Sequence, residues 1–238
     1  MKKQLLIMAV LGVTGSLLAA ESSAKDEVVN AAKKLGEKAN YSWKTTVVVP
    51  ESAPFRPGPT EGKTEKEGYT HVKISFGDNT SEVVKKGEKA AFTNRDGDWQ
   101  TPADAEGEQG PGRFMAGMAR NLKAPAEQAV EVAQATKELK KDGDVYSGDL
   151  TEEGAKNLMR FRRGGDGPTI SNAKGSAKFW VKDGVLTKYE YKVAGSMNFN
   201  GNDMDVDRTS TVEIKDVGNT KVEVPDGAKK KLSAGKES

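Results

Sequence analysis

The stretch "FWVKDGVLTKYEYKVAGSMNF", Phe179–Phe199, sets the fold class. Apolar and charged residues alternate along it, the period of a strand with one face buried and one wet. Lys182-Asp183-Gly184 reads as a three-residue hairpin loop with Gly184 in the left-handed conformation. Val181 then faces Val185, and Phe179, Val181, Val185, Thr187, Tyr189, Tyr191 and Val193 share one face. Lys178, Lys182, Lys188, Glu190 and Lys192 fall on the other face or in the turn. A two-residue Asp-Gly turn would set Phe179 and Val181 opposite the tyrosine face, so the pattern selects the longer loop.

The same signals extend on either side. "MNFNGNDM" turns at Asn200-Gly201, and "DVDRTSTVEIKDV" places Val206, Ser210, Val212 and Ile214 together. "TKVEV" reads as a closing strand before Pro225, and "DGAKKKLSAGKES" as a basic, frayed tail. Upstream, "YSWKTTVVV" sets Tyr41, Trp43, Thr45, Val47 and Val49 on one strand face. A loop with Pro50, Pro54, Pro57 and Pro59 follows, too proline-rich for a strand interior. "YTHVKISF", "SEVVK" and "EKAAFTN" are short strands joined by the tight turns "GDNT" and Lys86-Gly87, and "RDG" turns into "DWQ". Hairpins at this spacing make an antiparallel sheet.

Helical patterns lie before and between the strands. Asp26 is placed to cap "EVVNAAKKLGEKAN", where Val28, Ala32, Leu35 and Ala39 recur at helical spacing. After the polar loop "QTPADAEGEQGPG", "RFMAGMARNL" and "PAEQAVEVAQATKELKK" read as two helices, with Pro125 in the first turn and Gly143 just past the end of the second. "DVYSGDL" reads as a short strand. Thr151 caps a third helix, "TEEGAKNLMRF", with Glu152 and Glu153 at its positive end. "RRGGDGPTISNAKG" reads as a loop. The expectation is α+β: a large antiparallel sheet, wet on one side and covered by the helical middle on the other.

The chain opens with Met1-Lys2-Lys3 and the apolar run Leu5–Ala20, which ends in small residues. That is the form of a secretory signal peptide over residues 1–20, with cleavage after Ala20 or Ala24. An uncleaved anchor is the alternative, and the run is short for a spanning helix. The expected product is periplasmic or secreted. Lacking cysteine, it has no thiol to carry a lipid and no disulfide to hold the fold. The net charge of +2 falls to 0 once Lys2 and Lys3 are gone (+2 − 2), so no long-range field gathers nucleic acid.

Chemistry is sparse. His71 is the only histidine, on the strand face opposite Val72, Ile74 and Phe76, and reads as an exposed strand residue. One histidine and no cysteine leave the usual nucleophile pairs and zinc sets unassembled, so neither enzyme activity nor a metal or other cofactor is expected. Asp203, Asp205 and Asp207 resemble the start of a calcium loop, but Arg208 stands where that loop needs glycine, and alternation puts all three on one solvated face. Gly164–Gly167 lacks phosphate-loop spacing. "RFRR", Arg160–Arg163, closes a helix where cations suit the dipole; an anionic headgroup or partner contact is the other reading. Phe114, Met115 and Met118 form an adaptable apolar patch, and Trp43, Tyr189 and Tyr191 an aromatic one. The first three are either core or a lid over a ligand cavity, the last three either core or its wall.

The segments "FTNRDGDW", "FWVKDGVLTKYEYKVAG" and "STVEIKDVGNTKVEVPDGAKKKL", in this order after a leading helix, resemble the lipoprotein carrier superfamily of LolA, LolB, LppX and LprG. The resemblance spans roughly Asp26 to Leu232, taken as one domain over 26–232 with a flexible tail at 233–238. It implies an open half-barrel with helices over the concave face and a hydrophobic cavity for acyl chains between the layers. It further implies a hydrophobic ligand, an acyl chain or a lipoprotein, with an envelope protein partner and transient membrane contact as possibilities. The alternative is a ligand-free structural or interaction module of the envelope.

Overall fold

Two left-handed residues and one unpaired threonine set the register of the longest strands. In the computed structural model, which describes residues 23–53, 56–77, 79–160, 168–199 and 201–233, β9 (Thr169–Lys182) pairs antiparallel with β10 (Val185–Phe199). Lys182 lies opposite Val185, so the loop holds only Asp183 (φ 52°) and Gly184 (φ 72°). The three-residue loop is therefore corrected to a two-residue turn, while Gly184 is left-handed as expected. Leu186 then faces Val181 and Lys188 faces Trp180, leaving Thr187 as an extra residue. This β-bulge changes the parity of the strand. Phe179, Val181, Tyr189, Tyr191 and Val193 come to share the buried face, with Leu186 there instead of Val185 and Thr187. A second irregularity falls near Asn172 (φ 54°), inside the stretch expected to be loop, which is strand from Thr169.

The remaining strands are β1 (Asn40–Val48), β2 (Thr60–Glu65), β3 (Thr70–Phe76), β4 (Asn79–Lys86), β5 (Lys89–Thr93), β6 (Trp99–Gln100), β7 (Lys140–Asp142), β8 (Val145–Asp149) and β11 (Asn202–Lys215). Among the described residues they form one antiparallel sheet in the order β6-β5-β4-β3-β2-β1-β11-β10-β9-β8-β7. One meander runs outward from β1 to β6. The chain then crosses the inner face as helices and returns inward from β7 to β11, where β11 pairs with β1. The sheet does not close; β6 and β7 are its edges. The fold is the expected α+β open half-barrel.

Strand β2 is absent from the sequence reading because "TEGKTE" is polar throughout. Its ladders run to β1 and β3, and its Gly62 makes room for Trp43 across the pair. A Cβ on Gly62 would lie 2.1 Å from the Trp43 ring, so the indole packs flat over the glycine backbone.

Helix α1 (Ala24–Gly36) is capped by Ser23, whose hydroxyl accepts from the Asp26 N–H. Asp26 is thus the third residue of a capping box rather than the cap itself. Val28, Ala32 and Leu35 are buried, but Ala39 lies past the helix end and is exposed. Helices α2 (Pro111–Asn121) and α4 (Glu152–Met159, capped by Thr151) match expectation closely. Helix α3 (Pro125–Gln134) is shorter than expected. Thr136 bridges to Leu150, and "KKD" becomes β7, so Gly143 (φ 58°) serves a hairpin turn rather than a helix end. Pairing with β8 overrides the helix-forming composition of "TKELKK".

Helices α1 to α4 cover the inner face; Val28, Leu35, Phe179, Leu186, Tyr189 and Val193 are fully buried in that core. "TKVEV" is not a strand, and the frayed tail is in part a helix, α5 (Asp226–Ser233). Ala228 and Leu232 of α5 pack with Val84 and Ala91 on the opposite, outer face of the sheet. The expected signal segment and residues 234–238 lie outside the described residues, as do Gly164–Gly167 and all of "RFRR" beyond Arg160.

Candidate functional site

The six residues singled out as core, cavity lid or cavity wall separate into three environments. Trp43, Met115 and Tyr189 are core. Trp43 packs against Tyr41 with ring centroids 6.0 Å apart and the planes tilted at 50°. Tyr189 stacks on Phe179, centroids 6.4 Å apart. Phe114 stands exposed on α2. Met118 and Tyr191 meet at one place, a cleft of about 750 Å³ between α2, α3, α4 and strands β10 and β11.

The cleft is built from residues far apart in the chain. Helix α2 brings Met118, followed by Leu122 four residues on; α4 brings Leu158 from the facing side. Tyr191 rises from β10, where Phe179–Tyr189 alternation has already fixed its inward direction. Polar groups share the rim. Arg208 donates from Nη2 to the Leu158 carbonyl (2.5 Å), Arg160 donates from Nη1 to Asn157 Oδ1 (3.2 Å), and Lys123 pairs with Glu131. Gln128 accepts from the Tyr189 hydroxyl beside the cleft. The site is amphipathic, setting the apolar Met118, Leu122, Leu158 and Tyr191 beside the cations Lys123, Arg160 and Arg208 and the carboxylates Glu131 and Glu153. Leu122, Leu158 and Arg208 escaped the sequence reading. The i, i+4 spacing of Met118 and Leu122 was the one local sign; nothing in sequence brings α4 opposite them.

Helix α3 separates this cleft from a second of about 570 Å³, lined by α1, α3, Tyr41, Thr64 and the charged residues Glu65–Glu67. Two tyrosines hold α3 to the sheet. The Tyr41 hydroxyl accepts from the Ala126 N–H (3.3 Å) in the first turn, which has no side-chain cap of its own, and Tyr189 donates to Gln128. Burial pushes the Tyr41 hydroxyl up to about 12, the Ala126 N–H opposing and Glu127 adding to the shift. Burial likewise pushes Tyr189 well above the usual phenol range, reinforced by Tyr191 and Tyr41. Both stay neutral at physiological pH and act as hydrogen-bonding anchors.

The other charged constellations are structural ties. Glu27 Oε2 accepts from Lys141 Nζ and the Tyr146 hydroxyl, each at 2.6 Å, fastening α1 to β7 and β8. Those two hydrogen bonds, Lys141 first, hold the Glu27 carboxyl below its usual range. His71 is not exposed as expected; its side chain is 11% accessible, with Nε2 2.6 Å from Glu82 and Nδ1 2.9 Å from the Glu223 carbonyl. The segment leading to α5 covers it. Asp203, Asp205 and Asp207 share one exposed face, where they engage Asn198, Ser196 and Lys192 across the hairpin. Among the described residues no three acidic or histidine side chains are gathered as a metal site, and no helix is long and apolar enough to cross a membrane.

No protein-family model and no curated protein matches the chain. Among solved structures it is similar to LprF from Mycobacterium bovis, at 11% identity and a TM-score of 0.43 over 87% of this chain and 100% of that one. It is similar to the Mycobacterium tuberculosis lipoprotein LppX at 10% identity and a TM-score of 0.46, over 84% and 97% of the two chains. A LolA superfamily protein from Nitrosomonas europaea is similar at 8% identity and a TM-score of 0.33, over 86% and 96%. These are similarities in the course of the chain.

Proposed function

We propose that this protein is an exported, non-enzymatic binding protein that carries or senses a lipid or lipidated protein, with an acyl chain held in the cleft between α2, α3, α4 and β10–β11. The observation that carries the reading is the cleft itself. Its volume of about 750 Å³ falls within the usual range of small-molecule sites, and Met118, Leu122, Leu158 and Tyr191 give it apolar walls. The charged groups of both signs beside these walls suit a ligand whose polar end stays near water. Methionine at the wall tolerates chains of differing shape.

The energetics permit binding without a specific polar contact. Burying about 16 methylenes at about 0.8 kcal/mol each gives a gross gain of about 13 kcal/mol. Association and ordering cost about 4–15 kcal/mol. The balance runs from no net binding to about micromolar affinity, according to how much of that cost is incurred. Titration with a fluorescent fatty-acid probe tests the reading, with circular dichroism as the folding control. Saturable binding is expected, weakened at least tenfold (about 1.4 kcal/mol) by Met118→Asp or Tyr191→Asp in folded protein. Absence of binding across chain lengths and headgroups would favour the ligand-free envelope module, a reading that the filled interior around Tyr189, Phe179 and Trp43 supports.

A further inference from the structure

Helix α2 supplies Met118 and Leu122 to the cleft, yet α2 itself is lightly fastened. Its N-terminus has no side-chain cap, and its buried residues are Met115 and the small Ala116 and Ala119. It packs on β4 and β5, close to the β6 edge of the sheet. Two side chains hold its last turn. Lys85 Nζ of β4 donates to the Leu122 carbonyl (3.0 Å). Arg120 Nη2 donates to the Pro102 carbonyl (2.9 Å) and lies 3.3 Å from Glu106 Oε1.

Both ties lead to α5 on the opposite face of the sheet. Arg120 grips the turn that follows β6, and Thr101 and Asp104 close that turn on each other. The Thr101 N–H donates to Asp104 Oδ2 (2.9 Å), and the Asp104 N–H donates to Thr101 Oγ1 (3.1 Å). The same Oδ2 accepts from Lys231 Nζ of α5 (2.9 Å). The Thr101 N–H first, and Lys231 after it, hold the Asp104 carboxyl below its usual range. The next residue, Ala105, is buried in the inner core, so the turn wraps the sheet edge from one face to the other. The second tie passes through β4. Val84 packs on Ala228 and Leu232 of α5, and Lys85, one residue on, caps α2. Successive strand residues face opposite ways, so β4 carries one helix on each side.

No residue of α5 lines the cleft. We propose that α5 is nonetheless its outer prop: docked on Val84, Ala91 and Trp99, it steadies the 101–106 turn and β4, and these hold α2 with its Met118–Leu122 wall in place. Lys231 is then a positioning residue, and ligand affinity is governed in part from the face opposite the cleft. Whatever lifts α5 loosens the wall. The consequence for affinity rests on the acyl-binding reading; the attachment of α2 is measured without a ligand.

Hydrogen exchange of the ligand-free full chain, read by mass spectrometry, is the test, with circular dichroism as the folding control. Leu232→Asp places a charge under α5 and should speed exchange in residues 111–122 at least about tenfold, with α1 unchanged. Lys231→Ala should speed it about two- to fivefold, as expected for one half-exposed ion pair. Lys231→Arg should restore the wild-type rate. Lys230→Ala removes the same charge one residue away and should leave α2 unchanged. The fluorescent fatty-acid probe should bind Leu232→Asp at least about threefold more weakly than the wild type. Faster exchange confined to residues 220–233, equal acceleration along the whole chain, equal effects of Lys230→Ala and Lys231→Ala, or unaltered probe affinity in Leu232→Asp overturns the proposal. A wild type that binds no probe overturns the acyl-binding reading alone, and exchange in residues 111–122 then decides whether α5 holds α2.

Discussion

Gly184 and Thr187 together decide which side chains of β10 are buried. Gly184 has open space beyond its missing Cβ apart from the Lys34 amine at 3.2 Å, so the obstacle to a side chain there is the left-handed backbone rather than crowding. Gly184→Val should cost about 1–2 kcal/mol in urea unfolding. Deleting Thr187 should cost little, because it removes the bulge residue itself: Leu186 opposite Val181 runs straight on to Lys188 opposite Trp180, and Tyr189 and Tyr191 stay on the inner face. A Thr187 deletion that leaves the protein unfolded would refute Thr187 as the extra residue of the bulge. Tyr41 supplies a second test at this scale. Below pH 10 both folded and unfolded chains keep its proton. Between pH 10 and about 12 the unfolded chain releases it while the buried hydroxyl holds it, so stability falls as pH rises through that window. The loss from Tyr41 amounts to about 2–3 kcal/mol. Urea unfolding at stepped alkaline pH should show a shallower decline in Tyr41→Phe, with the remainder carried by Tyr189, whose shift has the same sign.

Among the elements, α5 is held most locally. Its Ala228 and Leu232 rest on Val84 and Ala91, and Gly227 lies so close to Trp99 that a Cβ would come within 2.4 Å of the ring. Upstream, the extended segment is tied by side chains in place of a strand ladder. Thr220 N–H donates to Asn40 Oδ1 (2.7 Å), Val222 N–H donates to Glu65 Oε1 (3.1 Å), and His71 bridges Glu82 and the Glu223 carbonyl. Both His71 nitrogens lie within hydrogen-bond distance of acceptors, the Glu223 carbonyl and Glu82. His71→Ala should destabilise by about 1–3 kcal/mol and speed hydrogen exchange in residues 220–232 more than elsewhere. Unchanged exchange there would show that α5 is held by packing alone. The same segment explains a failure of sequence reading. "TKVEV" has the alternation of a strand, but its donors go to Asn40 and Glu65 side chains contributed from β1 and β2, which local pattern cannot reveal.

At the scale of the molecule, the alternation in Phe179–Phe199, Tyr41–Val49 and Thr70–Phe76 made the antiparallel sheet legible, and Thr151, Pro125 and the Met115–Met118 pattern marked the helices. The central pairing of β1 with β11 joins residues such as Thr45 and Val212 from opposite ends of the chain, and no local signal encodes it. Strand β2 was hidden because its residues are polar and the fit of Gly62 against the Trp43 ring lies across the ladder. The cleft was half legible. Met118 and Tyr191 stood out by composition, but Leu158 and Arg208 reach it only through the packing of α4 on β9 and β10. Trp43 and Tyr189, equally conspicuous in sequence, are used as core, since burial of large aromatics against the sheet is what a chain without disulfides relies on.

The most direct test of the acyl-binding account is photocrosslinking with a diazirine-bearing fatty acid, followed by peptide mapping. The account predicts saturable labelling, displaced by unlabelled fatty acid, in peptides carrying Met118–Leu122, Leu158 or Tyr191. Labelling confined to the outer face around α5, or none that free fatty acid displaces, would contradict it.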